Sequence, residues 1–187
     1  MRLEDGTGTG KQAKIDDQNR LFVKAVVVEQ QHHISVYAQE AYQVSADIPI
    51  AASEKNLLLI KNTHDTKNMI ITFMRVETIG AATAGTAAYF NIKTGGTYTS
   101  GGTATVPTNM NVGSSVAAQG TFIDARGSAI VTGGTFTQID RTYQNSTKYE
   151  KHGSIVLPKN SSLMISHKGS TAAGQAYCRV SFYYEEN

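Results

Sequence analysis

Strict alternation of apolar and polar residues is the feature that most limits the fold of this chain. In the segment YQVSADIPI (42–50), apolar side chains occupy every second position and the intervening positions are mostly polar. Successive side chains of a β-strand point to opposite faces, so this pattern predicts a strand with one buried and one solvated face. The same period places Ala176, Cys178, Val180, Phe182 and Tyr184 on one face of a second strand. The alternation therefore predicts an all-β fold.

Further strand-like runs, separated by turn residues, follow along the chain. KNLLLIK (55–61) is continuously apolar, which indicates a central strand covered on both faces. AAYFNIK (87–93) is expected to pair with MIITFMRVETI (69–79) across the intervening GAATAGT. About ten to twelve short strands are typical of a β-sandwich or barrel. Helix is expected only as a turn near SSVAAQ (114–119) and as a short segment in SVYAQEAY (35–42).

Composition limits the class of protein. A chain of 187 residues fits one domain, and its net charge of +2 without a Lys/Arg cluster argues against nucleic acid or an anionic membrane as a partner. No stretch approaches the roughly 20 apolar residues of a membrane-spanning helix. Cys178 is the single cysteine, and its place on the apolar face of a strand predicts a small buried side chain.

The N-terminal run GTGTGK (6–11) resembles a phosphate-binding loop only superficially. A Walker loop requires Gly at position 5 and Ser or Thr after the Lys, where this chain has Asp5 and Gln12. No buried strand precedes the run and no helical period follows it, which argues against a dinucleotide loop. We therefore expect no cofactor, an extended N-terminal arm over residues 1–20, and a single β-sandwich domain over residues 21–187.

Two short segments repeat, TGGTYT (94–99) and TGGTFT (132–137). Paired glycines supply the positive φ that tight turns need, so both are interpreted as Gly-Gly turns that open a strand. The first belongs to a long Gly/Thr-rich segment over residues 94–120, which is poor in core residues. Long loops in compact domains are commonly functional, so this segment is predicted to form an outward contact surface. The residues assigned to it are Tyr98, Thr103, Asn109 and Asn111.

The sequence gives little support for catalysis or metal binding. The histidines lack the spacing that brings two imidazoles to one ion, and we expect them to be solvated polar residues. They are His32, His33, His64, His152 and His167. No Gly-x-Ser-x-Gly elbow is present. No metal site and no enzymatic activity are therefore expected.

Two alternatives stay open at this stage. A glycan-cleaving enzyme would need two carboxylates about 5–10 Å apart in a cleft, and Asp124, Asp140 and Glu150 are the first candidates. A receptor- or glycan-binding module of a tail fibre or tailspike would instead carry exposed tyrosines over a shallow groove. The candidates for that groove are Tyr89, Tyr98 and Tyr143.

Both ends of the chain carry motifs of a known family. The N-terminal DGTGTGKQAKIDDQNRLFVKAVV (5–27) contains DGTG, AK-[IV]-D and RL-x-V. This segment resembles one that recurs in virion structural proteins of tailed bacteriophages. The C-terminal SIVLPKNSSLMISHKGSTAAGQAYCRVSFYYEE (154–186) resembles the closing hairpin of such jelly-roll proteins. The resemblance implies a β-sandwich of jelly-roll type and a capsid decoration, cement or head-fibre protein, often a homotrimer.

The resemblance implies a function that is purely associative. We expect a non-enzymatic protein on the capsid surface of the virion, bound to the major capsid protein and self-associated, with a host surface glycan as a further candidate partner. An extended arm can add a strand to the sheet edge of a neighbouring subunit. The residues assigned to this contact are Asp5, Gly6, Thr7, Gly8, Lys11, Lys14, Ile15 and Arg20. Apolar residues on both faces of segment 69–79 also indicate cover on its outer face, by a second subunit or by a loop of the same chain.

Overall fold

The computed structural model describes residues 14–15, 21–22, 30–79, 86–144, 148–169 and 174–186. The chain divides into two compact units, residues 1–30 and residues 31–187. In the first unit, strand β1 (Lys14–Ile15) pairs antiparallel with strand β2 (Leu21–Phe22). This pairing joins residues on both sides of position 20, and the division into an arm and a domain at that position stays a prediction.

In the described residues from position 30 onward, a short helix and thirteen strands follow. Helix α1 (Gln30–His33) continues as a π-helical turn (Ile34–Ala38), and we call these residues the helical segment. The strands are β3 (Ala41–Pro49), β4 (Lys55–Asn62), β5 (Lys67–Ile79), β6 (Thr86–Thr94), β7 (Thr97–Ser100), β8 (Thr103–Ala104), β9 (Thr108–Asn109), β10 (Gly120–Asp124), β11 (Ile130–Thr132), β12 (Thr135–Gln144), β13 (Lys148–Leu157), β14 (Ser162–Lys168) and β15 (Gln175–Glu186).

These strands form two large antiparallel sheets and a small ribbon. The six-stranded sheet has the order β12-β6-β14-β4-β10-β8, and the five-stranded sheet has the order β13-β5-β15-β3-β9. Strands β7 and β11 pair only with each other, and we call them the ribbon. The predicted all-β fold is confirmed, and its arrangement is β-sandwich-like.

The main core takes its side chains from the inner faces of both large sheets. Val44, Val76 and Val180 enter it from the five-stranded sheet, and Leu58 and Ile165 enter it from the six-stranded sheet. The alternation in β3 and β15 places their apolar residues in this core, as predicted from the sequence. Burial of apolar surface between two sheets is the main stabilising term of such a fold.

An aromatic group lies at the centre of this core. The ring centroid of Phe182 is 5.4 Å from that of Tyr42 and 5.4 Å from that of Phe122, and both pairs are stacked. Phe182 also meets Tyr184 edge to face at 5.9 Å. Aromatic pairs of this geometry contribute about 0.5–1.5 kcal/mol beyond the area that they bury.

Smaller apolar clusters cover the outer faces of both large sheets. Leu59 and Met164 lie on the outer face of the six-stranded sheet, and Tyr98 and Val131 of the ribbon pack against their cluster. Strand β4 is thus covered on both faces, which confirms the prediction for KNLLLIK. On the five-stranded sheet, Ile34 of the helical segment packs against a cluster that includes Ile70. The chain itself therefore covers this part of β5.

Two predictions about local structure are wrong. Strand β6 does not pair with β5, because β5 lies between β13 and β15 in one sheet whereas β6 lies between β12 and β14 in the other. Residues 114–119 form no helical turn. Their carbonyl groups accept tertiary bonds instead, from Asn109 Nδ2 to Val116 and from the Tyr184 hydroxyl to Gln119.

The helix predicted over residues 35–42 is right in its first half only. The helical segment includes Ser35–Ala38, but Ala41 and Tyr42 begin strand β3. Gln39 ends the helix in a left-handed conformation with φ of 58°. Its backbone N–H donates to the carbonyl oxygen of Ile34 at 2.8 Å, which is a typical way to close a helix C-terminus.

Candidate interaction surface

One uncharged segment closes an edge of both large sheets. Strand β8 is the edge strand of the six-stranded sheet, and β9 is the edge strand of the five-stranded sheet. Both belong to the chain between β7 and β10, within the predicted contact segment 94–120. Residues 94–123 contain no Asp, Glu, Lys, Arg or His. Charged residues are depleted at the centres of protein interfaces, so this composition favours a surface that meets another molecule.

Asn109 fixes this segment against the helical segment. Its Nδ2 atom donates to the carbonyl oxygen of Gln39 at 2.7 Å and to that of Val116 at 2.9 Å. Its Oδ1 atom accepts the backbone N–H of Asn111 at 2.9 Å. The Asn109 carboxamide thus joins the end of the helical segment to both halves of the loop.

Further bonds hold the same loop in place. Asn111 Nδ2 donates to the carbonyl oxygen of Ser35 at 3.2 Å, and the Met110 N–H donates to that of Ala41 at 2.8 Å. The Tyr42 hydroxyl donates a hydrogen bond to the carbonyl oxygen of Val116 at 3.4 Å. Burial, and next the nearby Glu40 carboxylate, raise the pKa of Tyr42 to about 12, so this hydroxyl stays a donor at neutral pH.

Although these hydrogen bonds fix the backbone of the loop, several large apolar side chains of the loop and of the helical segment are exposed. The exposed fraction is 92% for Val112 and 85% for Val106, so neither side chain contributes much buried apolar surface to the fold. A shallow depression of about 460 Å³ lies between the loop and the helical segment, lined by Val36, Met110 and Val112 with polar neighbours. We call Val36, Tyr37, Val106, Met110 and Val112 the loop surface. Val36, Met110 and Val112 of this set line one depression, and contiguous exposed apolar patches mark interaction sites.

The residues predicted for the outward contact have different surroundings. Thr103 is exposed in β8, opposite Asp124 of β10. Tyr98 packs against the outer cluster of the six-stranded sheet, and its hydroxyl donates to the Gly101 carbonyl oxygen at 2.6 Å. Asn109 and Asn111 are half-buried and bond within the chain. The exposed valines of the loop surface were missed because a single valine carries no sequence signal that separates a contact from a core position.

Most of the predicted arm contacts cannot be placed. Asp5, Gly6, Thr7, Gly8, Lys11 and Arg20 lie outside the described residues. Lys14 and Ile15 form β1, and only their backbone is described. The role of these residues stays a prediction.

The structure places the two candidate carboxylates that it describes, Asp124 and Glu150, in different sheets. Asp124 belongs to the six-stranded sheet, and its Oδ2 atom lies 3.4 Å from Arg126 Nε. Glu150 belongs to the five-stranded sheet, and its Oε1 atom lies 3.7 Å from Arg75 Nε. Asp140, Tyr89 and Tyr143 belong to strands β12 and β6, for which the structure describes only the backbone at these positions.

The histidines are not uniformly solvated, so that prediction is wrong for two of them. His64 is buried against the ring of Tyr184, and its Nδ1 atom accepts the backbone N–H groups of Thr66 and Lys67, each at 3.2 Å. His167 is buried at the end of β14, and burial lowers its pKa. Within the described parts of the chain, no three His, Cys, Asp or Glu side chains cluster as metal ligands would.

Cys178 is fully buried, as predicted. Burial is the main cause that raises the pKa of its thiol well above the ordinary value. A thiol that stays protonated is a poor nucleophile, so its role in the fold is that of a small apolar side chain.

Comparison with known proteins adds no family. The chain matches no protein-family model, and no curated protein is significantly similar to it. None of the helices among the described residues is long and apolar enough to cross a membrane.

Proposed function

We propose that this chain is a non-enzymatic structural protein of a tailed-bacteriophage virion, of the decoration or cement type. In this proposal the protein lies on the capsid surface, binds the major capsid protein through its N-terminal arm, and forms a homotrimer through the loop surface. The observation that carries the proposal is the loop surface itself, where exposed apolar side chains project from an uncharged, hydrogen-bonded loop and from the adjoining helical segment.

The lack of charge in the loop segment supports association with copies of the same chain. A residue close to the threefold axis of a trimer lies near its own copies, so a charged residue there would meet the same charge. Like charges in contact oppose association, whereas valine, methionine and hydroxyl-bearing residues do not. The loop surface carries such residues and no ionised side chain.

The pairing of the long strands supports a sandwich of jelly-roll type, which is part of the proposal. In chain order, the eight strands of seven or more residues are β3, β4, β5, β6, β12, β13, β14 and β15. The first pairs with the eighth, the second with the seventh, the third with the sixth, and the fourth with the fifth. A long hairpin rolled into two sheets gives these pairings. Jelly rolls are frequent in viral capsid proteins, which agrees with the resemblance of the two chain ends.

Co-sedimentation with capsids tests the proposal. The full chain, a truncated chain without residues 1–20, and a Val106→Asp/Val112→Asp variant are each mixed with capsids that lack the protein. We expect the truncated chain to remain folded and to lose binding, because the arm supplies the capsid contact. We expect the double variant to bind more weakly, because it loses the avidity of a trimer.

Ile79→Asp is the matched control for the double variant. Ile79 is also an exposed aliphatic residue, but it lies at the end of β5, outside the loop surface. This variant should bind capsids as the unchanged protein does. Equal binding by the full and truncated chains would refute the role of the arm.

A further inference from the structure

A pocket lies beneath the ribbon, on the outer face of the six-stranded sheet. Strands β6 and β12 pair as far as Thr94 and Thr135, and the ribbon begins with Thr97 opposite Thr132. The two Gly-Gly pairs of the repeated segments, at 95–96 and 133–134, therefore lie opposite each other at the point where the ribbon leaves the sheet. Gly133 and Gly134 have φ of 66° and 71°, as the predicted Gly-Gly turns require.

The ribbon packs on the sheet but does not fill the space beneath it. Tyr98 and Val131 contact the outer cluster, and Lys61 Nζ donates to the Gly96 carbonyl oxygen at 3.1 Å. A cavity of about 330 Å³ remains between ribbon and sheet. Its lining includes Glu54, Asn56, Leu59, Val131, Met164 and Ser166. Its volume falls within the range of small-molecule sites.

The lining combines an apolar floor with fixed polar groups. Leu59 and Met164 supply apolar surface from two central strands. The Asn56 carboxamide is held by a bond from Nδ2 to the Ala129 carbonyl oxygen at 3.0 Å, and its Oδ1 atom accepts the Ser166 hydroxyl at 3.4 Å. The second N–H of the Asn56 carboxamide and the remaining lone pairs of Oδ1 and of the Ser166 hydroxyl can bond a polar ligand.

The charges and the backbone of the pocket narrow the class of ligand. No Lys, Arg or His is among its lining residues, so an anionic ligand would find no counter-charge. Its one carboxylate, that of the exposed Glu54, can accept bonds from hydroxyl groups. Both β4 and β14 are paired on each side, so the floor of the pocket offers no strand edge to a peptide backbone.

We propose that this pocket binds one neutral sugar residue of a glycan. The apolar floor takes the C–H face of the sugar ring, and the carboxamide, hydroxyl and carboxylate groups bond its hydroxyls. This activity goes beyond the capsid role, because it uses the outer face of the six-stranded sheet and none of the residues of the loop surface.

The test is a titration of the methyl-labelled full-length protein, followed by NMR at the Met164 methyl group. The probes are the methyl glycosides of glucose, galactose, mannose and N-acetylglucosamine, with N-acetylneuraminic acid as the anionic probe. We expect at least one neutral glycoside to shift this signal saturably, with a millimolar Kd. If none shifts it, or if only the anionic sugar does, the proposal is overturned.

Two variants separate pocket binding from a general effect of added sugar. Ser166→Ala removes one hydroxyl at constant backbone and should weaken binding about fivefold. Ser45→Ala removes an exposed hydroxyl from the five-stranded sheet and should leave the Kd unchanged. Unchanged core methyl signals of Ile71 and Val180 verify that each variant is folded. Equal affinity of the Ser166→Ala variant and the unchanged protein would also overturn the proposal.

Discussion

The Asn109 side chain donates a 2.7 Å hydrogen bond to the carbonyl oxygen of Gln39, seventy positions earlier in the chain. Gln39 is the left-handed residue that ends the helical segment, so this bond ties the exposed loop to the turn beside it. Both walls of the depression in the loop surface are joined through Asn109. The shape of the proposed contact therefore depends on a side chain that is itself half-buried.

Replacement of Asn109 should loosen the loop. Asn109→Ala removes three hydrogen bonds, and we expect the free energy of unfolding to fall by about 1–3 kcal/mol. Thr108→Ala is the control, because Thr108 is an exposed neighbour in the same short strand. Urea unfolding of the two variants measures the difference. Equal stability would show that these bonds contribute nothing in solution.

Alanine at Gly133 should be destabilising for reasons of backbone conformation. A Cβ atom there would meet no other atom within 4 Å, but φ is +66°, a conformation that costs an L-residue about 1–2 kcal/mol. Gly113→Ala is the matched control, because Gly113 lacks a positive φ and its added Cβ would approach nothing closer than 3.7 Å. Thermal unfolding should show a lower Tm for Gly133→Ala alone. A similar Tm for both variants would contradict the turn geometry.

Burial of His167 predicts how stability depends on pH. Burial lowers its pKa in the folded state below the ordinary 6.5, so the unfolded chain binds more protons between the two values. The stability that neutral His167 contributes to the folded state is complete above the pKa of this histidine in the unfolded chain. It is lost as the pH falls through its pKa in the folded state. We expect the free energy of unfolding to decrease from pH 7 to pH 5.

His167→Gln isolates this contribution, because glutamine is polar and does not titrate. The decrease in the free energy of unfolding over the same pH range should be smaller for the variant than for the unchanged protein. Urea unfolding at several pH values gives both slopes. Identical slopes would mean that His167 is not responsible.

The sequence predicted the strands more reliably than their partners. Alternation in β3 and β15 depends on neighbours two residues apart, so it is visible locally, and Val44 and Cys178 are buried as expected. The partner of β6 is not local, because consecutive strands here belong to different sheets. Sequence alone could not show that β14, far along the chain, lies beside it.

The candidate surface was predicted only in outline. The Gly/Thr-rich composition of residues 94–120 indicated a contact segment, and the structure shows exposed Val106 and Val112 within it. The bond between Asn109 and Gln39 carries no sequence signal, since asparagine is equally common in free turns. The burial of His64 was missed because its contact with Tyr184, distant in the sequence, exists only in the folded chain.

The oligomeric mass in solution tests the central claim most directly. Light scattering on the full chain should give a trimer of the 20.1 kDa subunit, and the Val106→Asp/Val112→Asp variant should give smaller species. Ile79→Asp should keep the mass of the unchanged protein. A full chain that stays monomeric across all concentrations, or a double variant with unchanged mass, would contradict association through the loop surface.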